Sequence, residues 1–313
     1  MAETKRIDQP TGTETVGHEW DGIEELNTPL PRWWLWTFYA SIVFAIGYVV
    51  VYPALPMLHT NSKGLWNWSS RGDLQKSLAT ETARRAPIVS AIAATPVEAL
   101  PGKPELMNAA IQGGSAAFKV HCVQCHGSGA SGSKGYPNLI DDDWLWGGDL
   151  KSIEYTITHG ARNPDEAMTR NSLMPSFGKD GILTAAQVQD VVSHVRVISG
   201  QEKPSASAQR GTALFEANCA VCHGPQGKGM REFGAPNLTD GIWLYGGDRE
   251  TLTQTVTNSR HGVMPAWGKV LDPVTIKMLA AYVHSLGGGE ANPAPVAAQP
   301  AEAGNAAAPA GSQ

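Results

Sequence analysis

The longest uninterrupted apolar run, Trp33–Tyr52, holds 20 residues without a charge or a proline. At 1.5 Å per residue, a helix of that length spans the ~30 Å hydrocarbon core of a bilayer. Pro29 and Pro31 precede the run, and Pro53 and Pro56 follow it. Trp33, Trp34 and Trp36 cluster at one end and Tyr48 and Tyr52 at the other, the positions aromatic rings take where headgroups meet hydrocarbon. The run begins behind 32 residues and is too long for the apolar part of a cleaved signal, so the pattern predicts a retained single-pass anchor over residues 33–56. Residues 1–32 carry seven acidic against three basic residues with no apolar period, and read as an exposed acidic arm. Residues 57–104 mix small, polar and basic residues with Pro87, Pro96, Pro101 and Pro104, and read as a partly helical linker.

Farther along, apolar residues recur at helical spacing. Val188, Val191, Val192, Val195 and Ile198 follow Thr184, and Ile276, Leu279, Ala280, Val283 and Leu286 follow Asp272-Pro273. The stretches before Cys122 and Cys219 read as short helices, and few runs alternate as strands do. The fold class predicted is mainly α. Residues 287–313, almost wholly Gly, Ala, Pro, Asn and Gln, read as a disordered tail.

Between linker and tail lies a tandem repeat. Gly114, Phe118 and Cys122-Val-Gln-Cys125-His126-Gly127 recur as Gly211, Phe215 and Cys219-Ala-Val-Cys222-His223-Gly224, an offset of 97. Pro137-Asn138-Leu139, Trp144-Leu145 and Gly147-Gly148-Asp149 recur at an offset of 99, and Met174-Pro175 recurs as Met264-Pro265 at 90. The first copy therefore holds an extra dozen or so residues near 161–172. Two domains are predicted, 105–200 and 201–286, each small enough that a peptide core alone would be marginal.

Composition narrows the chemistry. The formal charge is −5, with 24 Lys and Arg against 29 Asp and Glu, which gives no basic excess for a nucleic-acid partner. Four cysteines in two identical motifs are too few for a disulfide scaffold. Cys-x-x-Cys-His is the attachment signal for c-type haem, in which two thiols form thioethers and the adjacent imidazole meets the iron. A zinc ribbon needs its cysteine pairs about 15–20 residues apart rather than 97, and a thioredoxin-like dithiol expects a βαβ setting. Two covalent haem c groups per chain are expected, on Cys122 and Cys125 and on Cys219 and Cys222, in two tandem class I cytochrome c domains behind the transmembrane helix.

His126 and His223 are the proximal iron ligands in this reading. Met174 and Met264 lie in matched Met-Pro loops and are the candidates for the opposite axial positions; Met168 is a rival to Met174 without a counterpart. His159/His261 and His194/His284 are repeat-matched and offer a bis-histidine alternative. The default pairing joins His126 with Met174 and His223 with Met264, while an exchange of loops between the copies stays open. Arg162 and Arg260 are candidate partners of haem propionates, and Pro137, Asn138, Pro236 and Asn237 of the proximal side. Methionine opposite histidine favours reduced iron and closes the site to exogenous ligands, which suits electron transfer rather than catalysis.

Taken together, Asp21-Gly-Ile-Glu-Glu25 and Asn27-Thr-Pro-Leu-Pro-Arg-Trp-Trp34 before one anchor, Tyr52-Pro53 after it, and the two haem units resemble the membrane-anchored di-haem subunit family of cbb3-type cytochrome c oxidases over about residues 19–286. The resemblance implies a non-catalytic electron-transfer subunit in a bacterial inner membrane, with the haem domains in the periplasm and the arm in the cytoplasm. It implies three protein partners: a haem-copper catalytic subunit that reduces O2 and pumps protons, a mono-haem cytochrome c subunit, and a donor cytochrome c. The same module in another membrane complex, such as a dehydrogenase, is the alternative.

Overall fold

A computed structural model describes residues 5–292, and the chain divides into two compact units at Arg84/Arg85. The first unit opens with a two-stranded antiparallel hairpin, β1 (Thr15–Trp20) and β2 (Ile23–Leu26), within the stretch read as an exposed acidic arm, for which no strand was expected. The physical reason is Asp21-Gly22. Both residues take positive φ, 48° and 85°, and such a pair closes a tight hairpin whose twist matches its strands. Helix α1 (Arg32–Val51) follows, 20 residues long, with none of its residues buried. It is long and apolar enough to cross a membrane. Beyond it the chain turns back, and Leu65 N–H and Trp66 N–H donate to the carbonyls of Val50 and Val51 at the open helix end. Helix α2 (Ser70–Ala94) crosses the division between the units.

The second unit holds the repeats: α3 (Pro104–His121), α4 (Val123–His126), α5 (Leu150–His159), α6 (Ala185–Ile198), α7 (Ala206–Asn218), α8 (Ala220–His223), α9 (Arg249–Asn258) and α10 (Pro273–His284). The predicted helix starts are built by side chains. Thr184 and Gln187 form a reciprocal capping box on α6, and Asp272 accepts from the amides of Val274 and Thr275 on α10.

These helices do not close repeat by repeat. Helix α3 of the first copy packs along α10 of the second, while α7 packs along α6. One core joins Phe118, Leu150, Ile153, Ile276, Leu279 and Val283, and the other joins Phe215, Leu252, Val188, Val191, Val192 and Val195. Each crossing is made close by a matched glycine. A Cβ on Gly114 would lie 2.0 Å from Met278 O, and one on Gly211 would lie 2.0 Å from Asp190 O. The expected boundary at 200/201 thus separates two sequence copies but not two packing units, because each terminal helix finds its buried partner in the other copy. The expected boundary at 104/105 moves as well. Ile92, Val97 and Leu100 belong to the first core, and Lys277 Nζ donates to the carbonyls of Ile92, Ala93 and Thr95.

Residues 287–292, expected to begin the disordered tail, are a docked strap. Trp144 Nε1 donates to Gly288 O at 2.6 Å, and Gly148 and Glu290 bond in both directions, N–H to O at 2.9 Å and N–H to Oε2 at 2.8 Å. Residues 293–313 lie outside the described residues.

Because the glycine crossings admit no side chain, Gly114→Ala is expected to cost about 1–3 kcal/mol as overpacking. The measurement is the unfolding midpoint in denaturant; an unchanged midpoint would count against the crossing.

Candidate functional site

Each Cys-x-x-Cys-His motif is a single helical turn that closes a longer helix. Cys122 ends α3, its N–H donating to Phe118 O at 2.9 Å, and the amides of Cys125 and His126 donate back to Cys122 O at 3.2 and 2.9 Å. The second motif repeats this on Phe215 and Cys219, with 2.8, 3.1 and 2.9 Å. Residues three and four apart share a helix face, so the two thiols and the imidazole of each motif lie on one side. The turn stops at Gly127 and Gly224, whose φ values of 77° and 76° are open to glycine at little cost.

Both imidazoles are oriented from behind. The Nδ1–H of His126 donates to Pro137 O at 3.1 Å and that of His223 to Pro236 O at 3.0 Å, which leaves Nε2 as the free ligand atom. The residues that follow, Asn138 and Asn237, close the loop with Oδ1 atoms that accept from the amides of Ile140 and Thr239, both at 3.0 Å. Burial lowers the pKa of both histidines against the upward pull of the prolyl carbonyls, which keeps them neutral, the form that binds a metal.

Burial also pushes the Cys122 and Cys219 thiols up to about 11, and the partner cysteine of each motif adds to the rise. A dithiol redox enzyme needs the opposite shift, so these are not thiolate nucleophiles.

The methionines follow their terminal helices. Met264 and Cys122 both pack against the first core, and Met174 and Cys219 both pack against the second. Ala161 and Met264 pair through two backbone hydrogen bonds, of 3.1 and 2.9 Å, and Ser259 Oγ donates to Met174 O. Each methionine is thus packed on the core of the attachment motif in the other copy. Trp144 and Trp267 join Met264 beside Cys122, and Trp243 and Phe177 join Met174 beside Cys219.

The rival ligands are engaged elsewhere. Met168 is 56% exposed, and its carbonyl accepts from Tyr155. His159 Nδ1 lies 3.2 Å from Glu166 Oε1, His284 Nε2 donates to Glu290 O at 2.7 Å, and His261 is exposed. His194 meets Thr212 Oγ1 at 3.1 Å and packs at a tilt against Phe215, as Tyr282 does against Phe118. Its structural counterpart is thus Tyr282, not His284. Arg162 donates to Gly262 O, and Arg260 is held by Thr251 and Thr255 of α9. Arg170 escaped the sequence reading. The signal was an arginine four residues before the methionine in both copies, Arg170 and Arg260.

Two attachment turns with carbonyl-oriented histidines, each sharing a core with one loop methionine, and a membrane-length helix earlier in the chain define a membrane-anchored c-type cytochrome. Family models agree along the chain: the N-terminal domain of cytochrome oxidase-cbb3, FixP, matches residues 12–59; cytochrome c matches 111–199; and cytochrome c oxidase, cbb3-type, subunit III matches 206–283. The chain is 51% identical to the cbb3-type cytochrome c oxidase subunit CcoP of Cereibacter sphaeroides over 282 residues, 90% of this chain and 97% of that protein. It is 50% identical to the FixP subunits of Azorhizobium caulinodans, over 91% of this chain and 96% of that one, and of a Bradyrhizobium species, over 93% and 100%. The chain belongs to the CcoP/FixP family of cbb3-type cytochrome c oxidase subunits. It is a membrane-bound cytochrome c electron-transfer subunit of an oxidoreductase complex, it carries covalent haem c, and its partners are the other oxidase subunits and the membrane. Membership of a different complex is not favoured.

Gly160 sits at φ 69°, and a Cβ there would lie 2.3 Å from Met264 O. Gly160→Ala is expected to displace Met264 and weaken the methionine-to-iron absorption band of one haem only. Retention of that band at full strength would overturn the contact.

Proposed function

We propose that the chain holds two haems with crossed axial ligands, His126 with Met264 and His223 with Met174. The observation that carries this reading is that Met264 and Cys122 pack against one core and Met174 and Cys219 against the other. Each haem supplies a one-electron couple, and the protein's work is to tune and shield it. The prolyl carbonyls fix the imidazole tautomer, methionine sulfur closes the opposite face and raises the potential, and the packed tryptophans limit water. A closed axial position leaves no place to activate substrate, so this subunit relays electrons and does no catalysis itself. The haem-bearing unit faces the periplasm, where c-type haem is attached, and the amino-terminal arm faces the cytoplasm.

The relay receives electrons from a donor cytochrome c and passes them by way of a mono-haem subunit to a haem-copper subunit that reduces O2 and pumps protons. The docking side is the first copy, whose residues 105–200 hold ten acidic against seven basic residues, with Asp141, Asp142 and Asp143 together in one turn. Burial pushes the Asp143 carboxyl up to about 6, with Asp240 and its two neighbours adding.

The ligand pairing is tested in a Cys219→Ser, Cys222→Ser chain, which keeps the first attachment motif alone. Its haem is expected to lose methionine ligation on Met264→Leu and to keep it on Met174→Leu; the reverse result would restore pairing within each copy. Intact mass of the unaltered chain should show two covalent haems.

Donor association should slow as salt rises, and also as pH falls through about 6, where Asp143 takes up a proton and its charge is lost. Rates indifferent to both would remove the acidic docking side.

A further inference from the structure

Arg170 and Arg260 occupy the same place in the two copies and share an aromatic setting. The Arg170 guanidinium lies over the rings of Trp146 and Tyr155 at 5.6 and 4.4 Å, and that of Arg260 lies over Tyr245, the counterpart of Trp146, at 4.7 Å. Their hydrogen bonding differs. Arg260 donates from Nε to Thr255 Oγ1 at 3.1 Å and from Nη2 to Thr251 O at 2.8 Å. Arg170 Nε is buried and has no partner. An unsatisfied buried donor on a cation is costlier than a neutral one, and native folds rarely keep it without an acceptor. Asp149, the carboxylate whose charge reaches Arg170, is committed to the amides of Lys151 and Ser152 at the start of α5.

The position of Arg170 points to the acceptor. Ala161 bridges to Arg170 on one side and to Met264 on the other. Paired strands lie about 4.8 Å apart, which puts the Arg170 backbone within about 10 Å of that of Met264. Tyr155 belongs to α5, whose Ile153 and Ile157 share a core with Cys122 and Met264. The acceptor required is anionic, carries oxygen, and lies beside the first attachment motif. Haem carboxylates have that chemistry.

We infer that Arg170 donates from Nε to a propionate of the haem attached at Cys122 and Cys125, and so is a positioning residue for that cofactor. This rests on the reading that a haem is held there between His126 and Met264. A guanidinium beside the carboxylate offsets negative charge near the iron and favours the reduced form, raising the potential. Arg260, satisfied by α9, does not serve the second haem in this way.

The test uses the full chain in detergent, with two haems per chain confirmed by pyridine haemochrome before each titration. Arg170→Gln is expected to lower one midpoint potential, the one that Met264→Leu also moves, and to leave the other in place. Arg170→Lys, which keeps the charge, is expected to hold that potential near the wild-type value. Unchanged potentials in Arg170→Gln, or an equal fall in the lysine variant, would overturn the inference. Where the glutamine variant fails to mature, redox-difference infrared spectra with ¹³C-labelled haem carboxyls decide on the lysine variant. A displaced carboxylate band supports the contact, and an identical band overturns it. A chain that carries no haem at Cys122 would instead sink the underlying reading, so the two failures are distinguishable.

Discussion

Two helix crossings hold the haem-bearing unit together, and both require a residue without a side chain. At Gly114 and Gly211 the backbone of one helix lies against the backbone of another, so α3 meets α10 and α7 meets α6 without a gap. Phe118 and Phe215, one helical turn onward and each 1% exposed, fill the space on one side of each crossing. Burying a side chain of that size stabilises a fold by roughly 1.5–3 kcal/mol, and it does so only if the facing helix is present. In the proposed pairing, the crossings also choose the axial ligands. Met174 and Met264 lie about ten residues before α6 and α10, too near to part from them, so a terminal helix that crosses to the other copy takes its methionine along.

The parts legible in the sequence were those whose chemistry is local. The attachment turns need two thiols and an imidazole on one helix face, the anchor needs 20 uncharged residues, and the caps at Thr184 and Asp272 need only their next turn. The exchange of terminal helices left no such mark. Both copies present the same glycine and phenylalanine to a partner, and both terminal helices offer an apolar face at the same period, so either pairing satisfies the pattern. What decides between them is the course of the chain between Gly160 and Met174, set by contacts such as Ala161 with Met264 and Lys179 with Thr257. Other features were readable but passed over. Asp21-Gly22 is a hairpin signal inside an acidic stretch, and Arg170 matches Arg260 once the copies are aligned on their methionines instead of their cysteines.

The proximal side shows how little side-chain chemistry such a site needs. The histidine is oriented by a backbone carbonyl, and proline contributes a fixed φ that stiffens the loop presenting it. Burial alone keeps the imidazole neutral. No carboxylate takes the Nδ1 hydrogen bond at either histidine, so the ligand stays a neutral donor and the site adds no negative charge beneath the iron. This agrees with methionine on the other face, since both choices favour the reduced state.

Crossing the helices also makes each core from parts of both repeats. The first core is not complete until the chain has run from Ile92 to α10, whereas the second is complete by α9, with α6 and α7 packed against each other and Leu252. The strap after α10 adds a further tie, since Glu290 reaches both Gly148 of the first copy and Arg231 of the second. Contacts between residues roughly 160 positions apart must form late and slow folding, which is the cost of the arrangement. The return is a second connection between the two sites. Independent tandem domains are joined by one linker, whereas here the core holding Phe215 lies in the chain between the two parts of the core holding Phe118, so two stretches of chain join the sites. For a subunit that transfers electrons, that second connection is worth a slower route to the native state.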